Sequence, residues 1–218
     1  MLLAVVVMDI AMAAVGVARS PEFFSQSGAR AFVWEPVLAL LGYAVAIVLL
    51  ARARGAYWGS LLGRAIACGV MTGMVEVINI GVENGIPFAV SGPFIAPGFM
   101  LLVFTLWGVA GFRVTRSERS IRAGLLVAIS SAGICMLIAV TAGFIVELFV
   151  SPPEPAYVAS WAEFKRSGWT DARDFAVANT LESAFTHLVV APIVALFSGG
   201  LGSLLAQIRF SRTASISS

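Results

Sequence analysis

Long apolar runs alternate with short polar connections through nearly the whole chain. Six of them approach the roughly 20 residues that a helix needs to cross a hydrocarbon core. They cover Leu2–Ala18, Val33–Ala51, Ala65–Val82, Phe94–Phe112, Ala123–Val146 and Ala184–Ala206. The pattern predicts an all-α, polytopic integral membrane protein, a single bundle of six transmembrane helices over residues 1–210, followed by a disordered cytoplasmic tail at 211–218. The connections are too short to fold as a domain of their own.

The first run is N-terminal and rich in Ala, as a secretion signal is. No Lys or Arg precedes Arg19 and Asp9 interrupts its middle, so a retained first span is expected. Connection 1–2 enters the second span through Trp34-Glu35-Pro36, which reads as an interfacial Trp followed by a Pro in the first helical turn. Connection 3–4 is dense in residues that punctuate helices: Glu83-Asn84-Gly85-Ile86-Pro87, then Ser91-Gly92-Pro93 and Pro97-Gly98. It reads as an ordered loop, with a dip into the bundle as the alternative.

Connection 5–6 is the longest and opens with the breaker Ser151-Pro152-Pro153-Glu154-Pro155. Beyond it Tyr157, Trp161 and Phe164 recur at helical spacing opposite Glu163, Lys165 and Arg166, which predicts a short interfacial amphipathic helix between spans five and six. The stretch Tyr157–Ser167 is expected to cover the outer ends of spans three and six, with Trp169 adding to the aromatic belt. Thr170 or Asp171 can N-cap the next helix, with Asp174 near its first-turn amides. No breaker follows until Pro192, so this helix should begin well outside the apolar core and hold Asn179 and Glu182 near the outer interface.

Composition agrees with the pattern. Hydrophobic residues make up 59% and charged residues 12% of the 218, and the mean hydropathy is +0.94, which excludes an ordinary soluble domain. The net charge of +2 does not mark a nucleic-acid protein, because the basic residues cluster at span ends rather than on one face. Their distribution bears on topology. Nine lie at one set of ends (Arg52, Arg54, Arg64, Arg113, Arg116, Arg119, Arg122, Arg209, Arg212) and five at the other (Arg19, Arg30, Lys165, Arg166, Arg173). The positive-inside rule then places both termini of a multi-pass cell-membrane protein in the cytoplasm. The basic turn Arg113–Arg122 suits orientation and contact with anionic head groups, with a cytosolic partner as the sharper alternative.

Cys68 and Cys135 fall inside spans without metal-ligand spacing and read as apolar fillers. Gly69-xxx-Gly73, Ala128-xxx-Ala132 and the run Ser198–Gly202 permit close helix–helix approach.

The polar residues within spans carry the functional reading. Glu76, Asn79 and Glu83 stand at i, i+3 and i+7, one face of the third span, joined by Thr72 and Gly69. Asp9 lies mid-span among Val5, Val6, Met12 and Ala13, and His187, the chain's only histidine, is a candidate partner for it. Glu182 and His187 complete the primary candidates for binding a ligand or ion. Glu147, Asn179, Asn84 and Thr186 form a second tier that would join Glu83 if spans three, five and six are neighbours. A carboxylate at such depth costs on the order of 2.5–3.5 kcal/mol, so it must be protonated, hydrated or matched.

Three explanations compete. The first is polar glue between helices; the second is a water-accessible path or pocket in which Glu76 and Asp9 bind a proton or cation. The third is a metal-dependent enzyme, disfavoured because Glu182 and His187 are five apart and so on different faces. No Gly-x-Ser-x-Gly, His-Glu-x-x-His, Walker or dinucleotide pattern stands in the chain, and no cofactor is indicated. Partners beyond the lipid bilayer are a small solute or cation, a second copy of the chain, or a partner membrane subunit, and not nucleic acid. In size and six-span layout the chain resembles small transporter units, including the substrate-capturing membrane subunits of vitamin importers, a likeness of architecture without a shared motif. Binding or translocation of a small solute or ion is the expected function, with a membrane scaffold or complex subunit as the rival.

Overall fold

The computed structural model describes residues 1–53, 55–85 and 95–216, with the side chains of 56, 85 and 210–216 excepted. Arg54, the core of connection 3–4 at 86–94 and the last two residues lie outside the described residues. Among the described residues all regular structure is helical. The elements are α1 (Leu2–Ala18), a 3-10 turn (Phe23–Ser25), α2 (Ala29–Arg52), α3 (Ala56–Gly85), α4 (Ile95–Glu118), α5 (Ile121–Phe144) running into a π-helical turn (Ile145–Val150), α6 (Pro155–Val158), α7 (Ala162–Ser167) and α8 (Ala172–Ile216).

Five of these segments are long and apolar enough to cross a membrane: Ala29–Arg52, Tyr57–Asn84, Ile95–Glu118, Ile121–Val150 and Ala172–Arg209. The sixth run, α1, is equally apolar but has 17 residues. At 1.5 Å per residue it falls a few ångströms short of a roughly 30 Å hydrocarbon core.

Helix ends overrun the apolar runs wherever local chemistry allows. Gly28 turns the chain with φ 77, a left-handed conformation that glycine adopts without strain, and α2 starts at the next residue. Pro36 therefore sits inside α2 and is buried, instead of opening the helix. Asp171 caps α8: its Oδ1 accepts from the amides of Arg173 at 2.7 Å and Asp174 at 3.0 Å. From that cap α8 passes through Pro192 without a break. The stretch expected to form one amphipathic helix instead holds the two short helices α6 and α7, because Trp161 adopts an extended backbone (φ −63, ψ 139) between them.

Two compact units divide the chain, one of Met1–Leu50 with Val140–Val189 and one of Ala51–Ala139 with Val190–Ser218. Both α5 and α8 contribute residues to each. In the first unit, Asp9 meets Thr141 and Gly16 faces Leu148, so the contacts on α1 and α5 advance together by seven residues and the helices run parallel. Likewise α2 runs parallel to α8, from Ser27 beside Trp169 to Tyr43, whose hydroxyl donates to the Leu188 carbonyl at 2.8 Å. Trp169 ties this unit's loops together. Phe23, Phe32 and Phe175 pack edge-on against it at 5.5, 5.7 and 5.8 Å, and its Nε1 donates to the Ser27 carbonyl at 3.1 Å.

In the second unit α3 and α5 also run parallel. Ser131 donates to the Ala65 carbonyl at 3.2 Å, Gly69 faces Ile134, and Gly73 faces Ile138. The approach is close enough to require glycine: a Cβ on Gly69 would lie 2.7 Å from Ile134 Cβ and 2.8 Å from the Ser131 carbonyl oxygen. α4 and α8 cross as closely, Gly111 against Gly199, and α8 runs antiparallel to α5 through Gly199 on Ala128 and Ser203 beside Gly124. Leu61, Ala65, Val114, Ala123 and Val127 form a buried cluster at one end of this unit.

Candidate functional site

Asp9 is fully buried, 0% exposed, on a helix whose same face carries Val6 and Ala13 one turn to either side, both buried as well. The Thr141 hydroxyl donates to Asp9 Oδ1 at 2.7 Å. The other carboxylate oxygen, Oδ2, is buried without a hydrogen-bond partner among the described residues. One hydrogen bond to an ionised carboxylate returns about 1.5–3 kcal/mol, well below the desolvation cost of that carboxylate. A carboxyl group in this setting lowers its energy by holding a proton or by drawing a cation to the unfilled oxygen.

His187 does not meet Asp9. It is exposed on α8, and its Nδ1 lies 2.7 Å from the Ser183 carbonyl one turn earlier. A carbonyl only accepts, so Nδ1 carries the proton in that bond.

A second acid on α5 is paired in the same unit. Glu147, in the π-helical turn, accepts at Oε2 from the Thr180 hydroxyl at 2.8 Å, and that hydroxyl also lies 3.0 Å from its own helix's Ala176 carbonyl. Asn179, beside Thr180, is half-buried, whereas Glu182 and Thr186 are exposed. Glu147 thus joins α8 through Thr180 and not through the acids and amide first considered.

In the second unit the polar face of α3 is real in its middle and fades toward Glu83. Thr72 and Asn79 are buried, Glu76 is half-buried, and Glu83 and Asn84 are exposed. Asn79 Nδ2 reaches Glu76 Oε2 at 3.5 Å, a long and weak bond, while Asn79 Oδ1 is buried without a partner among the described residues. Thr72 spends its hydroxyl on the Cys68 carbonyl at 2.9 Å, and Asn84 donates to the Ile80 carbonyl at 2.9 Å. The buried Cys135 lies beside Thr72. Glu83 and Asn84 belong to the second unit, and Glu147, Asn179, Glu182, Thr186 and His187 to the first.

Thr141 and Thr180 are the functional neighbours that a reading of the sequence passed over. A threonine in an apolar helix by default bonds its own preceding turn, so neither announces an interhelical role. Among the described residues no three His, Cys, Asp or Glu side chains converge as a metal ion would need. The chain matches no family model, and no curated protein or solved structure is significantly similar to it.

Proposed function

We propose that the chain is a polytopic membrane protein of six crossings that binds or moves a proton or a small cation at Asp9. The observation that carries this reading is the Asp9 carboxylate itself, enclosed in an apolar helix with one oxygen held by Thr141 and the other unfilled. Asp9 Oδ2 and Thr141 Oγ1 are hard oxygen donors suited to an alkali or similar cation, and the same oxygen accepts a proton equally well. The crossing of α1 is supported by its parallel run with α5, as alternate spans require, and by its apolarity at every position but Asp9. Its shortfall in length is of a size that local bilayer thinning accommodates. The cell membrane, with both termini cytoplasmic, is the location that the nine-to-five split of basic residues favours. Glu76 with Asn79 is a secondary candidate for the same chemistry.

The rival reading, a scaffold or complex subunit, draws support from Glu147–Thr180 and Ser131–Ala65, which are satisfied bonds of the kind that fasten membrane helices at roughly 0.6 kcal/mol each. Purified protein in liposomes loaded with a pH-sensitive, Na⁺-sensitive or K⁺-sensitive dye decides between movement through the chain and a scaffold. Imposed proton, Na⁺ and K⁺ gradients should be dissipated by the wild type and not by Asp9→Asn, with both equally helical and equally inserted. Gradients that survive in the wild type favour the scaffold, and flux that survives Asp9→Asn removes Asp9 from the mechanism.

A further inference from the structure

One end of the second unit carries a concentration of positive charge that the proton or cation site does not use. Arg113 and Arg116 lie in the last turns of α4, Arg119 in the turn itself with φ 52, and Arg122 in the first turn of α5, all four exposed. Arg209, near the end of α8, extends over the Phe112 ring at 5.6 Å, which brings a fifth guanidinium to the same end. The acid within this turn, Glu118, is already matched: Arg64 on α3 reaches its Oε1 at 3.0 Å and donates to Ser117 at 2.7 Å. The turn is thus pinned in place while its outward arginines stay unneutralised by it. Immediately along the same helices the surface turns apolar, with Val109 on α4 and Leu205 and Ile208 on α8 exposed.

Guanidinium groups above an exposed apolar surface match one chemistry: a phosphate head group whose acyl chains lie along the helices below. A soluble nucleic acid or free phosphate satisfies the charge but leaves Val109, Leu205 and Ile208 uncovered. We propose that the α4–α5 turn, with the end of α8, is a binding surface for an anionic phospholipid.

The test uses the full chain in neutral detergent, titrated with phosphatidylglycerol or phosphatidylcholine and read by native mass spectrometry. Phosphatidylglycerol should bind in clear preference. Arg116→Gln should weaken it about fivefold, and Arg116→Gln with Arg119→Gln and Arg122→Gln on the order of 100-fold, since each juxtamembrane arginine contributes a comparable factor. Replacing the same three with Lys should retain most of the binding, which separates charge from a merely structural role. Equal binding of the two lipids, a triple Gln variant that keeps its preference, Lys variants as weak as the Gln variants, or displacement by millimolar inorganic phosphate would each overturn the proposal.

Discussion

Replacing Gly69 with Ala probes a close seam of the second unit, because one methyl group enters a space already filled. The new Cβ would lie 2.7 Å from Ile134 Cβ and 2.8 Å from the Ser131 carbonyl oxygen, about 0.7 Å inside ordinary contact, and neither neighbour is the free end of a flexible side chain. Relief requires α3 and α5 to part, at an overpacking cost of about 1–3 kcal/mol. Against this stands the helix preference of Ala over Gly, up to about 1 kcal/mol. Gly81→Ala on the same helix makes the identical chemical change where nothing lies within 4 Å, so it receives the gain without the cost. Gly73→Ala falls between, since its nearest neighbour is the mobile Ile138 Cδ1 at 2.8 Å. Unfolding in mixed detergent with increasing dodecyl sulfate, followed by circular dichroism, should rank the variants Gly81→Ala most stable, then Gly73→Ala, then Gly69→Ala, the extremes about 1–3 kcal/mol apart. A Gly69→Ala protein as stable as Gly81→Ala would show that α3 and α5 do not pack through this glycine.

Thr141→Val keeps the shape but strips Asp9 of its donor, so it should cost about 1–3 kcal/mol in the same unfolding assay, with Thr141→Ser near wild type. Equal stability of the Val variant would mean that the bond is not formed in the membrane. Trp169→Ala empties the centre of the Phe23, Phe32 and Phe175 cluster and should lower stability by about 3–5 kcal/mol, and a loss well under 1 kcal/mol would show the cluster to be peripheral. Reporter fusions at Ser218 and within 154–169, which bracket α8, should report opposite sides of the membrane, and the same side for both would sink the six-span topology.

The helices were legible from the sequence because the length of an apolar run is a one-dimensional property. The early start of α8 was legible too, through Asp171 and the missing breaker before Pro192. Pro36 misled, because a proline inside an apolar helix looks the same in sequence as one that opens it, and the true start was marked by the left-handed Gly28. The broken stretch around Trp161 misled for a related reason: aromatic residues at helical spacing describe a face, and that face arises here from two short helices whose aromatic rings meet Phe175, at 6.5 Å from Trp161 and 5.4 Å from Phe164. The depth and isolation of Asp9 could be read along the chain, but its partner could not. Thr141 is 132 positions away, and only the parallel packing of α1 on α5 selects it over the histidine. The face of Glu76 and Asn79 was visible as spacing, whereas the exposure of Glu83 depends on where α3 leaves its neighbours.

The most direct test of Asp9 as the binding residue is its modification by dicyclohexylcarbodiimide, an apolar reagent that couples to carboxyl groups within membranes, followed site by site by peptide mass spectrometry. Asp9 should be labelled in the membrane-inserted protein. The labelling should fall as pH rises and, if a metal cation competes for the same oxygens, as Na⁺ or Li⁺ is added. An Asp9 that stays unlabelled from acid to neutral pH, or that is labelled to the same extent whatever the proton and cation concentrations, would contradict its role as the site.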